Sequence, residues 1–466
     1  MNHPQPNVII FFTDQQRWDS TGIHGNPLDL TPNFDRMARQ GTHLYNSFTP
    51  QPVCGPARSV LQTGLYPTAT GCFTNNRPLP PNVKTLAHYF GAAGYDTAYI
   101  GKWHLAPGDP VTEPYRGGYK YWLAANILEF TSRAYHTVMF DNDNRPVTLP
   151  GYRVDAVVDA AIRYIASRDG SRPFYLMISH VEPHHQNEID DFTPPRGYRE
   201  RYTGRWTPPD LAAFGGSVHQ YLAGYWGQVK RLDEALGRLL DALVSLQLLE
   251  NTIVLFTSDH GCHFRTRNRE YKRSCHESSI RVPAAIQGPG FNGGGCVEEL
   301  VSLIDIPPTL LDAAGIPIPP EMQGSSILPL LHGSGTYSGG TGFGGGRSRK
   351  EGRRSWPQEV FVQISESQVG RAIRTKRWKY GVTAPQKQPG RDAGSDTYVE
   401  EYLYDLEADP YEITNLVGLD SHRELADMLA ERLVRRMIEA GEAAPKIIPA
   451  ERRKSGQRKV LPAEMI

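Results

Sequence analysis

The sequence predicts an α/β protein, with a large, mainly parallel sheet flanked by helices and a smaller C-terminal α+β domain. Three observations predict it. Short apolar, β-branched runs alternate with helical patterns through residues 1–331, as in a parallel sheet covered on both faces. A glycine-rich and basic stretch at 332–356 then interrupts the pattern, with eight glycines from Gly333 to Gly346. Beyond it, the strand-like runs are short and follow one another without intervening helices.

Taken in order, strands are expected at 7–13, 96–101, 173–180, 251–259 and 282–288. Thr31-Pro32 before 33–40 and Gly41 supplies a capping residue, a first-turn proline and a stop glycine, and so a helix. The longest helical pattern covers 217–249, where Leu232, Leu236, Leu239, Leu240 and Leu243 form a core-facing stripe. After Arg347, Arg349, Lys350, Arg353 and Arg354, the strand-like runs are 359–364, 371–374, 378–382 and 401–405. A helix at 421–440 completes a second domain over 357–441, and 442–466 reads as a loosely held basic tail.

Composition excludes several classes. The chain has 50 Lys+Arg against 50 Asp+Glu, so no bulk positive charge draws it to nucleic acid. Hydrophobic residues make up 39%, and no run approaches the roughly 18 apolar residues of a membrane span. The polar start and the five-residue run Val8 to Phe12 suggest a strand rather than a secretory leader, hence a soluble, cytoplasmic protein. Five irregularly spaced cysteines (Cys54, Cys72, Cys262, Cys275, Cys296) form neither a disulfide framework nor a CxxC metal site.

Polar residues recur just after the predicted strands: Asp14, then His180 and His184, then Asp259 and His260. Sites in open α/β sheets form outside the carboxyl ends of strands, so these residues can meet. The sharpest local signal is Val53-Cys54-Gly55-Pro56-Ala57-Arg58-Ser59, followed by Leu61-Gln62-Thr63-Gly64. Pro56 suits a first helical turn, which places Cys54 at a helix N-terminus, where an anion is favoured. A buried cysteine beside a turn is the plain alternative.

Cys-x-Pro-x-Arg with Ser-x-x-x-Thr-Gly resembles the signature of the type I sulfatases, members of the alkaline phosphatase superfamily. Further segments match in order: Thr13-Asp14-Gln15-Gln16-Arg17, Thr31-Pro32-Asn33-Phe34-Asp35, Gly101-Lys102-Trp103-His104, Ser258-Asp259-His260-Gly261, Lys272 with His276-Glu277, and Leu403-Tyr404-Asp405-Leu406. The resemblance spans residues 7–417 and implies an alkaline-phosphatase-like fold. It further implies that a formylglycine-generating enzyme oxidises Cys54 to the catalytic aldehyde. Asp14, Gln15, Asp259 and His260, with residue 54, would hold one divalent cation, Ca2+ before Mg2+ or Mn2+. Arg58 would hold the hydrated aldehyde, Lys102 would bridge it and the sulfate, and His104 would take its proton. His184 and Lys272 would serve the leaving oxygen; His180 and His185 are neighbours that compete with His184 for that place.

The residues suit sulfate-ester hydrolysis on chemical grounds too, because a tetrahedral anion needs a hard cation, positive side chains, a nucleophile and a leaving-group acid. Gln15 departs from the second aspartate of many relatives, and His260 from their asparagine. The stretch from Cys262 to Arg273 contains His263, Arg265 and Arg267. It reads either as a solvated loop or as a subsite for anionic groups of a sulfated saccharide. The expected enzyme is therefore a sulfuric ester hydrolase acting on a small-molecule or saccharide sulfate ester. A phosphonate monoesterase or phosphodiesterase on the same scaffold, and a non-catalytic binder of sulfated ligands, are the alternatives.

Overall fold

The computed structural model describes residues 5–293, 295–331 and 356–465 of the chain. Apart from Trp356, the glycine-rich linker expected at 332–356 lies outside the described residues. The strands β1 (Asn7–Asp14), β2 (Thr42–Phe48), β3 (Asp96–Lys102), β4 (Tyr121–Ala125), β5 (Thr137–Phe140), β6 (Pro146–Leu149), β7 (Phe174–Pro183), β8 (Thr252–Ser258), β9 (Ala284–Gln287) and β10 (Gly295–Ser302) form one sheet. Its order is β10-β2-β9-β8-β1-β7-β3-β4-β5-β6.

Strand β1 is buried along its whole length, which explains its continuous apolar run in place of alternation. Val8, Ile10 and Phe12 enter one core layer, while Ile9 and Phe11 enter the other, as the pleat dictates. The second layer receives all five leucines of the predicted stripe, carried on the helix Val218–Ser245.

The sheet is mainly parallel, as the sequence predicts, with two strands inserted against the common direction. The neighbours β8, β1, β7, β3 and β4 run parallel. By contrast, β9 is antiparallel to both β8 and β2, and β5 is antiparallel to both β4 and β6, while β10 pairs parallel with β2. The cause is the path of the connections. The chain after β4 and the chain after β8 each stay at their strand's carboxyl end, so β5 and β9 re-enter the sheet running backwards, and a short turn then returns β6 to the common direction.

Helix α1 (Pro32–Gln40) starts at the predicted place, but its cap is tertiary. Thr31 makes no side-chain capping bond. Instead the Asp233 carboxylate accepts from the backbone N–H groups of Asn33 and Phe34 at 3.1 and 2.8 Å. A second sheet contains β11 (Glu359–Ile364), β12 (Gly370–Thr375), β13 (Trp378–Thr383), β14 (Thr397–Asp405) and β15 (Lys446–Ile448). The helix Arg423–Glu439 lays Leu425, Leu429, Leu433 and Met437 into the core.

The segment expected to be a loose tail is held in place. β15 pairs parallel with β14, and Trp378 Nε1 donates to the Glu464 carbonyl at 2.6 Å. Its charged side chains hid the backbone pairing that holds it. Among the described residues, no helix is long and apolar enough to cross a membrane.

Candidate active site

The carboxyl ends of the central strands deliver the polar groups to one place. Asp14 ends β1, Lys102 ends β3, His184 follows β7 and Asp259 follows β8. Helix α2 (Cys54–Thr63) begins on Cys54 itself. Lys102 reaches the site because Gly101, at φ 112°, lets β3 approach β7: a Cβ there would lie 1.9 Å from the Ser179 carbonyl oxygen.

Cys54 Sγ is the hub. It lies 2.8 Å from Lys272 Nζ, 3.4 Å from His260 Nε2, 3.5 Å from Asp14 Oδ1 and 4.0 Å from Lys102 Nζ. Arg58 sits one turn along α2 and donates to Asp14 Oδ2 at 2.9 Å; its other nitrogen donates to Ser179 Oγ and the Lys102 carbonyl.

One side of this hub is a set of oxygen, nitrogen and sulfur donors. Ligand atoms of Asp14, Cys54, Asp259 and His260 all lie within 4.8 Å of one another. Asp259 Oδ1 accepts from the N–H groups of Gln15 and His260, whereas its buried Oδ2 has no hydrogen-bond partner among the described residues. Gln15 Oε1 is likewise buried and without one. His260 Nδ1 is 2.9 Å from the Gly261 carbonyl oxygen, so it donates there and turns Nε2 toward Asp14 and Asp259. Two carboxylates, an amide oxygen and an imidazole with two orphaned acceptors fit a hard divalent cation.

The charges support that fit. Burial and the negative charge of Asp14 push Asp259 up to about 7, and burial pushes His260 down to about 4. Burial would raise Asp14 as well, but Lys102, His184, Lys272 and Arg58 outweigh it and hold its carboxyl well below the usual range. Bound positive charge would relieve the strain on Asp259.

The other side is cationic. Lys272 Nζ contacts His184 Nε2 at 3.2 Å, and His184 Nδ1 is fixed at 2.6 Å from the His185 carbonyl oxygen. Burial, then Lys272, hold His184 well below its ordinary value, so its imidazole is neutral. Of its two competitors, His180 packs on Phe11 with neither ring nitrogen bonded among the described residues, and His185 stacks between His184 and Tyr271. Among the described contacts, His184 is the one of the three that reaches Lys272, at 3.2 Å. His104 is buried at φ 59°, and burial followed by Lys102 and Arg58 lowers it too.

The three residues expected to meet substrate part company. His263 is fully buried and bonds the Lys272 carbonyl through Nε2, so it holds the lysine loop instead. The Arg267 guanidinium is bound by the Tyr411 and Glu412 carbonyls of the C-terminal region. Arg265 is half-buried, paired with Asp190 and lying over Tyr271. The sequence reading missed Glu129, whose Oε1 is 2.6 Å from Lys102 Nζ, and Asn75, which accepts from the Gly55 N–H. Neither stands in a motif, and only folding brings them near Cys54.

Comparison with known proteins agrees with this geometry. The Sulfatase family model matches residues 6–316. An ulvan-active sulfatase of Formosa agariphila is 31% identical, covering 94% of this chain and 82% of the relative. An N-acetylglucosamine-6-O-sulfatase of Bacteroides thetaiotaomicron is 25% identical over 92% of this chain and 86% of its own length. A protein solved in complex with its substrate, D-glucosamine-2-N,6-O-disulfate, shares the fold at a TM-score of 0.76 and 23% identity, covering 95% of this chain and 99% of that one. Together with the Cys54 hub, these matches establish that the chain belongs to the sulfatase family, as a type I sulfatase of the alkaline phosphatase superfamily and a sulfuric ester hydrolase.

Proposed function

We propose that residue 54 works as formylglycine, installed by a formylglycine-generating enzyme, in the hydrolysis of a saccharide sulfate ester. The observation that carries this reading is the position of Cys54 Sγ, in reach of the donor set on one side and of Lys102 and Lys272 on the other. As a hydrated aldehyde, residue 54 supplies one hydroxyl to attack sulfur and a second whose deprotonation expels sulfate. A divalent cation, Ca2+ ahead of Mg2+ or Mn2+, supplies the charge that polarises the sulfate oxygens.

The chain's own groups do the rest. Asp14, Gln15, Asp259 and His260 hold the cation. Arg58, tied to Asp14 and Ser179, orients residue 54. Lys102 and Lys272 neutralise sulfate oxygens, and His184 and Lys272 bind the leaving oxygen, with the Lys272 ammonium as its proton source. His104, kept neutral, accepts the proton from the second hydroxyl. Arg265 is the rim residue available to further anionic groups of a saccharide. The relatives' names, an ulvan-active and an N-acetylglucosamine-6-O-sulfatase, support a sulfated carbohydrate.

Mass spectrometry of the tryptic peptide 40–58, from protein made with the maturation enzyme, is the test. Replacement of the Cys54 sulfur by an aldehyde oxygen is expected, together with faster turnover of an aryl sulfate than of a phenyl phosphonate ester. An intact thiol under those conditions overturns the nucleophile, and the reverse preference overturns the sulfate-ester reading.

A further inference from the structure

The cationic half of the site contains a carboxylate that no motif announces. Glu129 lies in the short helix Leu128–Thr131, is 3% exposed, and places Oε1 2.6 Å from Lys102 Nζ. On the other side of the same ammonium, Asp14 Oδ2 is 2.9 Å away. A lysine ammonium has three N–H donors and no acceptor. Two are therefore committed to carboxylates in fixed directions, and the third is left for residue 54, 4.0 Å away.

Glu129 is itself held from behind. Gln186 Nε2 donates to the Glu129 carbonyl at 2.6 Å, Arg153 Nη1 donates to Gln186 Oε1 at 3.1 Å, and Arg153 Nε pairs with Glu182 at 2.9 Å. This backing engages the Glu129 backbone and leaves the carboxylate free of it. Glu129 Oε2 is buried and has no hydrogen-bond partner among the described residues. Among the described residues, the side chain is thus tied to Lys102.

From this geometry we infer that Glu129 is a positioning residue for Lys102, an inference that rests on the reading of Lys102 as a sulfate-binding group. Glu129 stops the ammonium from swinging wholly onto Asp14 and aims its remaining donor at residue 54 and the bound sulfate. Its negative charge weakens ground-state binding of sulfate, while the fixed direction of the ammonium favours the transition state, where charge on the transferring group is redistributed.

The test separates charge from direction with two variants and two readouts. Affinity for inorganic sulfate is measured calorimetrically on unmodified protein, and kcat is measured on matured protein with 4-nitrophenyl sulfate. Glu129→Ala is expected to bind sulfate about threefold more tightly, through loss of a neighbouring negative charge, and to lose about tenfold or more in kcat. Glu129→Gln keeps an oxygen acceptor for Lys102, so it should show the same gain in sulfate affinity yet recover most of the kcat. Equal kcat losses in both variants with sulfate affinity unchanged would reduce Glu129 to a structural partner and overturn the assignment. If Lys102→Met binds sulfate as the wild type does, the underlying reading of Lys102 fails and the assignment fails with it. Normal dependence on Lys102 with no effect of either Glu129 variant overturns the assignment alone.

Discussion

The active site and the seam that docks the second sheet are both buried clusters of carboxylates and cations, but they are completed differently. At the seam, Glu277 Oε1 meets Lys379 at 2.9 Å and its Oε2 meets Arg374 at 3.3 Å, while Glu412 bonds Lys379 through Oε1 and the Glu277 N–H through Oε2. All four carboxylate oxygens are satisfied. At the active site, Asp259 Oδ2, Gln15 Oε1 and Glu129 Oε2 have no hydrogen-bond partner among the described residues. A buried acceptor without a partner costs about 1–3 kcal/mol, more if charged. The two seam carboxylates are paired by the protein itself, whereas at the active site Asp259 Oδ2 has only the Arg58 guanidinium 3.6 Å away and stays open to a cation. Burial of charge by itself does not mark function; acceptors left open beside a cluster of cation-binding donors do.

Four experiments press on that contrast. The largest effect is expected in the active site: Asp259→Asn in matured protein should lower kcat/KM by about a thousandfold. Its melting temperature without metal should hold or rise, since the Asp14–Asp259 repulsion is relieved. A melting-temperature loss as large as a seam variant's would erase the distinction.

Next comes the seam. Glu277→Gln leaves Arg374 and Lys379 short of a partner and should cost about 3 kcal/mol in urea denaturation, with kcat/KM of the folded fraction intact. The pH dependence has a definite sign. Burial would raise Glu277, but Arg374, Lys379 and Arg281 outweigh it and hold it well below the ordinary carboxylate range. Its contribution is therefore present above the unfolded value of about 4.3 and is lost as pH falls toward the folded one. The Gln variant should lose less stability between neutral and acid pH than the wild type.

Third, Ca2+ at about a hundred times its Kd should stabilise the wild type by about 2.7 kcal/mol. Chelation should reverse the gain, and Asp259→Asn should abolish it. An equal gain in that variant would place the ion elsewhere. The smallest effect belongs to the rim: Arg265→Ala should weaken a polyanionic sulfated oligosaccharide by about 1 kcal/mol in KM, leaving an aryl sulfate unchanged. Equal losses on both would remove Arg265 from substrate recognition.

Much of the site was legible because its residues stand in contiguous motifs at strand and helix ends. Asp14-Gln15, Cys54 to Arg58, Lys102 to His104 and Asp259-His260 each combine a structural signal with reactive side chains. The failures have physical causes. His263 and Arg267 look available in a basic loop, and whether a side chain faces solvent depends on partners such as Tyr411 and Glu412, far along the chain. Glu129 and Asn75 carry no pattern of their own. The reversed direction of β5 and β9 follows from where connections re-enter, which period and composition do not encode.

By itself, the sequence determined the strands and helices of the sheet's centre, the Cys54 helix start and the reaction class, because these depend on local periodicity, capping and contiguous chemistry. Only the tertiary structure decided which histidine faces Lys272, that Asp233 caps α1 from another helix, and which buried acceptors stay unpaired. Those outcomes depend on distances between segments up to hundreds of residues apart, and no local pattern fixes such distances before the core has packed.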